Sequence, residues 1–85
     1  METRVAVIGI IIENENAVGN LNAVLHEFEQ YIIGRMGIPY RERSVNIISI
    51  AIDAPQSVIS ALSGKMGNLP GVSAKVAYSN VVTSK

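Results

Sequence analysis

The spacing of apolar and polar residues changes period several times along the chain. "TRVAVIGIII" is dense in β-branched residues and predicts a strand over 3–12. A polar "ENEN" follows. In "AVGNLNAVLHEFEQ", Leu21, Val24, Leu25 and Phe28 fall at i, i+3, i+4 and i+7, which is one face of an amphipathic helix. Asn16 is placed to cap that helix, because its side-chain oxygen can accept an orphan backbone N–H. "YIIGRMGIPY", 31–40, predicts a second strand, ended by Pro39 and the charged "RER" because proline cannot donate to a ladder. "SVNIISIAID" predicts a third strand over 44–53. A second helix then opens with Asp53 or Ala54 at the cap and Pro55 in the first turn, where its missing N–H costs nothing. Val58, Ile59, Leu62 and Met66 form its apolar stripe, and Gly67 suits a left-handed C-cap. "LPG" makes a turn, and "VSAKVAYSNVV" alternates as a last strand from Val72.

The predicted order is β-α-β-β-α-β. Two split βαβ units of this size imply an α+β, ferredoxin-like two-layer sandwich. Its four-stranded antiparallel sheet would carry both helices on one face. No linker or low-complexity stretch interrupts the pattern, so 1–85 is expected to form a single domain.

Two helices cover one face of such a sheet, yet the strands are apolar at both parities. In the first strand Val5, Val7 and Ile11 oppose Ala6, Ile8, Ile10 and Ile12. In the third, Val45, Ile47 and Ala51 oppose Ile48, Ile50 and Ile52. In the second, Ile32, Met36 and Ile38 oppose Tyr31 and Ile33. Strands apolar on both faces expect cover on both. Singly exposed isoleucines are ordinary, but the repetition across strands favours a partner. The second strand is also a sheet edge, which invites pairing. The chain is therefore expected to form a homo-oligomer, a dimer or tetramer, with Tyr31, Ile33, Met36 and Ile38 at its interface.

Composition narrows the function classes. Eighty-five residues bury a modest core, so stability is thin without help from a disulfide, a metal or a partner. There is no cysteine, which rules out disulfides, iron–sulfur clusters and thiolate zinc sites. Seven basic residues balance seven acidic ones, which argues against direct nucleic-acid binding. The longest apolar run, 5–12, is too short to span a bilayer, and nothing resembles a signal peptide. A cytoplasmic protein without membrane partners is expected.

Candidate chemistry is sparse. An RNA-recognition motif would carry aromatics on its central strands, and "VNIISIAI" has none. A soft-metal carrier would need cysteines. "GRMGIPYR" superficially resembles the phosphate loop of acylphosphatases, but it follows the first helix and leads into a turn instead of a helix N-terminus. His26 lies off the apolar stripe of its helix and reads as a solvated residue. The glutamates lack an apolar pocket and the serines lack a nucleophile elbow. Arg35, Arg41 and Arg43 could grip an anion, with a solvated loop as the simpler reading. No catalytic residue, metal site or cofactor is called for. The best functional hint is "ENENAVGNL", where Gly19 removes a Cβ beside the exposed N–H groups of a helix start. A small anionic ligand could enter there; a plain helix-start turn explains it equally well.

At this loop the chain resembles known proteins. "NAVGNLNAVL" is similar to the early motif of ACT domains, ferredoxin-like modules that bind small effectors at homomeric interfaces. The resemblance matches Asn16, Gly19 and Asn20 to the effector loop, with Asn16 standing where many ACT domains have aspartate. Over nearly the whole chain, "YIIGRMGIPY", "VNIISI", "DAPQSVISALSGKMGNLPGV" and "AYSN" resemble the iron-only hydrogenase system regulators. That family is also similar to the ACT-like C-terminal domain of nickel-responsive repressors. The resemblance implies a non-catalytic module in transcriptional control linked to hydrogenase maturation. Asn16, Gly19 and Asn20 are expected to form the ligand loop, with Arg35 contributing from a neighbouring chain's strand. The histidine and cysteine set that binds nickel in those repressors is missing, and the six elements leave no DNA-reading arm. Regulation would then run through a partner protein or through borrowed DNA-binding subunits. The alternative is a purely structural protein–protein interaction module with no small-molecule ligand.

Overall fold

Six main elements follow one another in a computed structural model that describes residues 2–84, with side chains described over 2–81. They are β1 (Glu2–Ile12), α1 (Val18–Glu27), β2 (Ile32–Tyr40), β3 (Val45–Ala54), α2 (Gln56–Gly67) and β4 (Val72–Ser84). Short 3₁₀ turns, Glu15–Ala17, Glu29–Tyr31 and Arg41–Arg43, fill three of the connections. The strands form one sheet in the order β2-β3-β1-β4, and every neighbouring pair is antiparallel. This is the ferredoxin-like sandwich that the periodicity predicts, with β1 and β3 side by side at the centre.

The core lies between the sheet and the two helices. Alternation along β1 turns Ala6, Ile8, Ile10 and Ile12 inward, and along β3 it turns Ile48, Ile50 and Ile52 inward. Leu21 and Leu25 of α1 meet them, as do Ile59, Leu62 and Met66 of α2. Each such side chain, fully buried, contributes about 1.5–3 kcal/mol. Lys65 Nζ lies 3.0 Å from Glu27 Oε2, an exposed latch between the helices. Solvent screening leaves such a pair worth about 1 kcal/mol or less.

Several boundaries differ from the sequence reading. Asn14, not Asn16, is the capping residue: its Oδ1 accepts from the Asn16 N–H at 3.0 Å. The 3₁₀ turn that it opens leads into α1, whose own start has no side-chain cap. Tyr31 belongs to a 3₁₀ turn, with its N–H on Phe28 O at 3.0 Å, so β2 begins at Ile32. Pro39 does not end β2, since it pairs with Asn46 in register and Tyr40 pairs with Val45. An edge strand tolerates proline when its missing N–H would face outward. Asp53 and Ala54 stay in β3, paired with Val5 and Arg4, so Pro55 takes the cap position of α2. Gly67 remains helical, and the left-handed conformation falls at Gly71 (φ 74°).

Two contacts fix the ends of the sheet. At one, Gly71 lies against Asn14, and the Glu13 N–H donates to Gly71 O at 2.7 Å. A Cβ on Gly71 would stand 2.6 Å from Asn14 Cβ and 3.1 Å from its backbone N. At the other, β4 slips register against β1 between Arg4 and Ala6. The Arg4 guanidinium fills the slip, donating to Ser79 O at 2.9 Å and to Gln56 Oε1 at 3.2 Å, and lying 5.0 Å from the centre of the Tyr78 ring. Gly71→Ala is expected to lose about 1–3 kcal/mol through positive φ and the close approach together. Chemical denaturation checks this; a variant as stable as the parent would mean that the Asn14–Gly71 contact gives way freely.

Candidate functional site

The loop after β1 is held between its own Asn14 cap and the Leu69–Gly71 turn. Asn14, Asn16, Ala17, Asn20 and Pro70 line a shallow concavity there of 120 Å³. Two of the residues expected to bind ligand, Asn16 and Asn20, therefore share one small site. Gly19 stands beside them in the first turn of α1 but not in the lining, and a Cβ on it would meet nothing within 4 Å. Its missing side chain is thus not required by packing.

Arg35 is elsewhere. It lies on the helix-facing side of β2, in register with Ile50, and its Nη2 donates to Asn22 Oδ1 at 3.1 Å. Asn20 and Asn22 are two positions apart on α1, roughly 200° around the helix, so the loop site and Arg35 occupy opposite flanks. Within one chain they do not meet. Arg35 instead divides a groove between α1 and β2 into two concavities. One, of 220 Å³, includes Leu25, His26, Glu29 and Ile32. The other, of 240 Å³, includes Ile12, Val18, Gly37, Asn46 and Ile48. His26 is exposed, with Nδ1 3.2 Å from Glu29 Oε2.

Arg41 and Arg43 sit in the turn after β2. Strand rise places Arg35 roughly 17 Å back along β2 from Tyr40, so the three arginines do not form one cluster. Sequence reasoning missed a concavity of 310 Å³ at the end of the β2–β3 hairpin, lined by Glu15, Tyr40, Arg41, Ser44 and Asn46 among others. Ser44 takes a left-handed conformation there (φ 55°), which gives a weak sequence signal because serine is an ordinary turn residue.

The sheet face away from the helices is bare and largely apolar. Register places Gly34, Ala51, Val7 and Ala77 in one row, Met36, Ser49, Gly9 and Lys75 in the next, and Ile38, Ile47, Ile11 and Ser73 in a third. Val5 and Tyr40 extend it, and its charged residues in the paired rows are Lys75 and Asp53. Met36 is 60% exposed and Val7 45%. Of the expected interface residues, Met36 and Ile38 lie on this face. Ile33 is exposed at a register slip between Ile32 and Gly34. Tyr31 is half-buried against the core. The same slip separates Ile32 from Met36 and Ile38: one extra residue sends Ile32 to the core side, where strict alternation would keep the three together.

No group of three or more histidine, cysteine, aspartate or glutamate side chains converges among the described residues. No helix among them is long and apolar enough to cross a membrane.

A four-stranded sheet with two helices on one side, the other side bare, and a polar loop at the start of α1 define an ACT-like module of the ferredoxin-like class. The chain belongs to the TM1266-like family, described as iron-only hydrogenase system regulators, which it matches over residues 4–76. It is similar to the uncharacterized protein TM1266 of Thermotoga maritima, with 34% identity, a TM-score of 0.86, and 89% of this chain and 96% of that one covered. A formyltetrahydrofolate deformylase from Pseudomonas putida KT2440 shares the fold at 11% identity and a TM-score of 0.66; 91% of this chain matches 29% of the deformylase. An unknown protein from Galdieria sulphuraria shares it at 12% identity and a TM-score of 0.62, with 95% of this chain and 48% of that one covered. Among curated proteins there is no match.

Because Gly19 has open space beside it, Gly19→Ala is expected to stabilise the chain by a few tenths to about 1 kcal/mol through helix propensity. Thermal unfolding checks this. A destabilised variant would assign the glycine to the fold.

Proposed function

We propose that the chain is a non-catalytic regulatory module of the iron-only hydrogenase system, acting in transcriptional control and sensing a small ligand at an interface between its own copies. The bare apolar sheet face carries this reading. Val5, Val7, Ile11, Met36, Ile38, Tyr40 and Ile47 are exposed together with few charges among them, as expected of an interaction surface. Gly9 and Gly34 add positions on that face where no side chain stands and no atom lies within 4 Å of a Cβ, leaving room for close approach. The family name supports the regulatory class. The likeness to ACT domains supports a ligand loop of Asn16, Gly19 and Asn20; Arg35 is proposed to reach it from a neighbouring chain. Because Arg35 and that loop lie on opposite flanks of α1 in one chain, the complete site needs two chains. The mechanism is linkage: a ligand that binds one assembly better shifts the population toward it. In this reading the module acts through a partner protein or through borrowed DNA-binding subunits. The proposed compartment is the cytoplasm.

One observation favours a second reading. The loop concavity, 120 Å³, is smaller than the roughly 300–1,000 Å³ usual for ligand pockets. The alternative is an adaptor that binds another protein through its sheet face and senses nothing.

Thermal unfolding against a panel of amino acids, nucleotides, other metabolites and divalent metals separates the two. A ligand at about a hundred times its dissociation constant adds roughly 2.7 kcal/mol, a melting shift of several degrees for a domain of this size. The sensor reading expects such a shift, lost in Gly19→Val. No shift across the panel favours the adaptor. The oligomer is tested by sedimentation of the double variant Ile11→Asp/Met36→Asp, which is expected to run as a monomer. An unchanged mass would move the interface off this face.

A further inference from the structure

The groove between α1 and β2 holds a second set of features. One half, of 240 Å³, is lined by the apolar Ile12, Val18 and Ile48 and the polar Asn22, Arg35 and Asn46. Nothing in the register or backbone of β2 demands a glycine at position 37. Gly37 pairs with Ile48, has no positive φ, and a Cβ on it would meet no atom within 4 Å. Glycine inside a strand costs up to about 1 kcal/mol relative to alanine, and often marks a place that something approaches closely. Gly37 lies on the side of β2 that faces the groove, as Arg35 does. A side chain there would fill the space beside Ile48.

Arg35 supplies the charge. It has no ion-pair partner among the described residues, and its guanidinium rests on a neutral amide oxygen, Asn22 Oδ1, at 3.1 Å. Its remaining N–H donors are arranged to hold a carboxylate in a two-point fork. No carboxylate lines the 240 Å³ concavity, so an ammonium group on the same ligand would find no counter-charge there. Glu29, in the neighbouring concavity, faces His26.

We propose that this groove binds a small aliphatic monocarboxylate, with Arg35 gripping the carboxylate and the tail lying over Gly37 against Ile12, Val18 and Ile48. This goes beyond the sensing reading: it is a separate site within one chain, on the flank of α1 opposite the Asn16 and Asn20 loop, and it uses Arg35 without a neighbouring chain.

The test is titration of the full chain with 3-methylbutanoate, followed through its backbone amide NMR shifts. Saturable shifts are expected at Asn22, Arg35, Gly37 and Asn46. The corresponding amide, 3-methylbutanamide, and the amino acid leucine are expected to bind at least roughly tenfold more weakly, as is the parent acid to Arg35→Met. Gly37→Val fills the groove and is expected to lose binding. Valine is a better strand residue than glycine, so that loss cannot be laid to unfolding. Equal binding of the amide, or full affinity in both Arg35→Met and Gly37→Val, would overturn the proposal. So would the absence of saturable groove shifts. If a metabolite still raised the melting temperature in the parent but not in Gly19→Val, the sensing reading would survive and the groove site alone would fall. If nothing in the panel acted either, both would fall.

Discussion

Two helices of 10 and 12 residues reach about 15 and 18 Å, while strands of 9 to 13 residues run roughly 30 Å or more. That mismatch in reach governs the molecule. The helices shield the helix-facing side of β1 and β3, where the isoleucines are fully buried. α2 leans toward β4 and β1, and β2 packs chiefly against β3. The opposite sheet face is left bare, and so is the groove where α1 overlooks β2. Both surfaces of interest are thus places that two short helices do not cover.

Two contacts tie the ends of the sheet together. Gly71 against Asn14 joins the end of β1 to the start of β4 and sets the angle at which the chain enters α1. Arg4, at the other end, ties β1 to the kink in β4 and to the start of α2 through Ser79 O and Gln56 Oε1. Between them the rows from Val7 to Ile11 stay in register across all four strands. α1 walls both candidate ligand sites, the Asn16 and Asn20 loop on one flank and the Arg35 groove on the other. A shift of this helix would therefore be felt at both, which is how linkage between a ligand and an assembly acquires a physical path.

Charge plays a smaller part than shape. The ion pairs His26–Glu29 and Lys65–Glu27 lie at the surface, where water screens them. Arg35 is different because its partner is a neutral amide, which leaves an anion something to win.

Fold class was legible from "TRVAVIGIII" and "SVNIISIAID", because β-branched density and the helical i, i+3, i+4, i+7 stripe of α1 are local signals. The two-sided apolar strands also imply that one chain leaves a sheet face uncovered. Met36 and Ile38 lie on that face, whereas Tyr31 does not, because the 3₁₀ turn that tucks it against the core depends on where α1 ends. The bulge that parts Ile32 from Met36 was invisible for a related reason. Alternation assumes an unbroken ladder, and only pairing with β3 reveals the extra residue. Capping by Asn14 instead of Asn16 turned on a backbone angle that two neighbouring asparagines do not distinguish. The sequence by itself thus determined which segments are strands and helices and that one sheet face would be greasy. Tertiary structure alone decided that Arg35 lies across α1 from Asn16 and Asn20, beside the space left by Gly37. Those distances are set by strand register and helix rotation, and both depend on contacts between residues far apart in the chain.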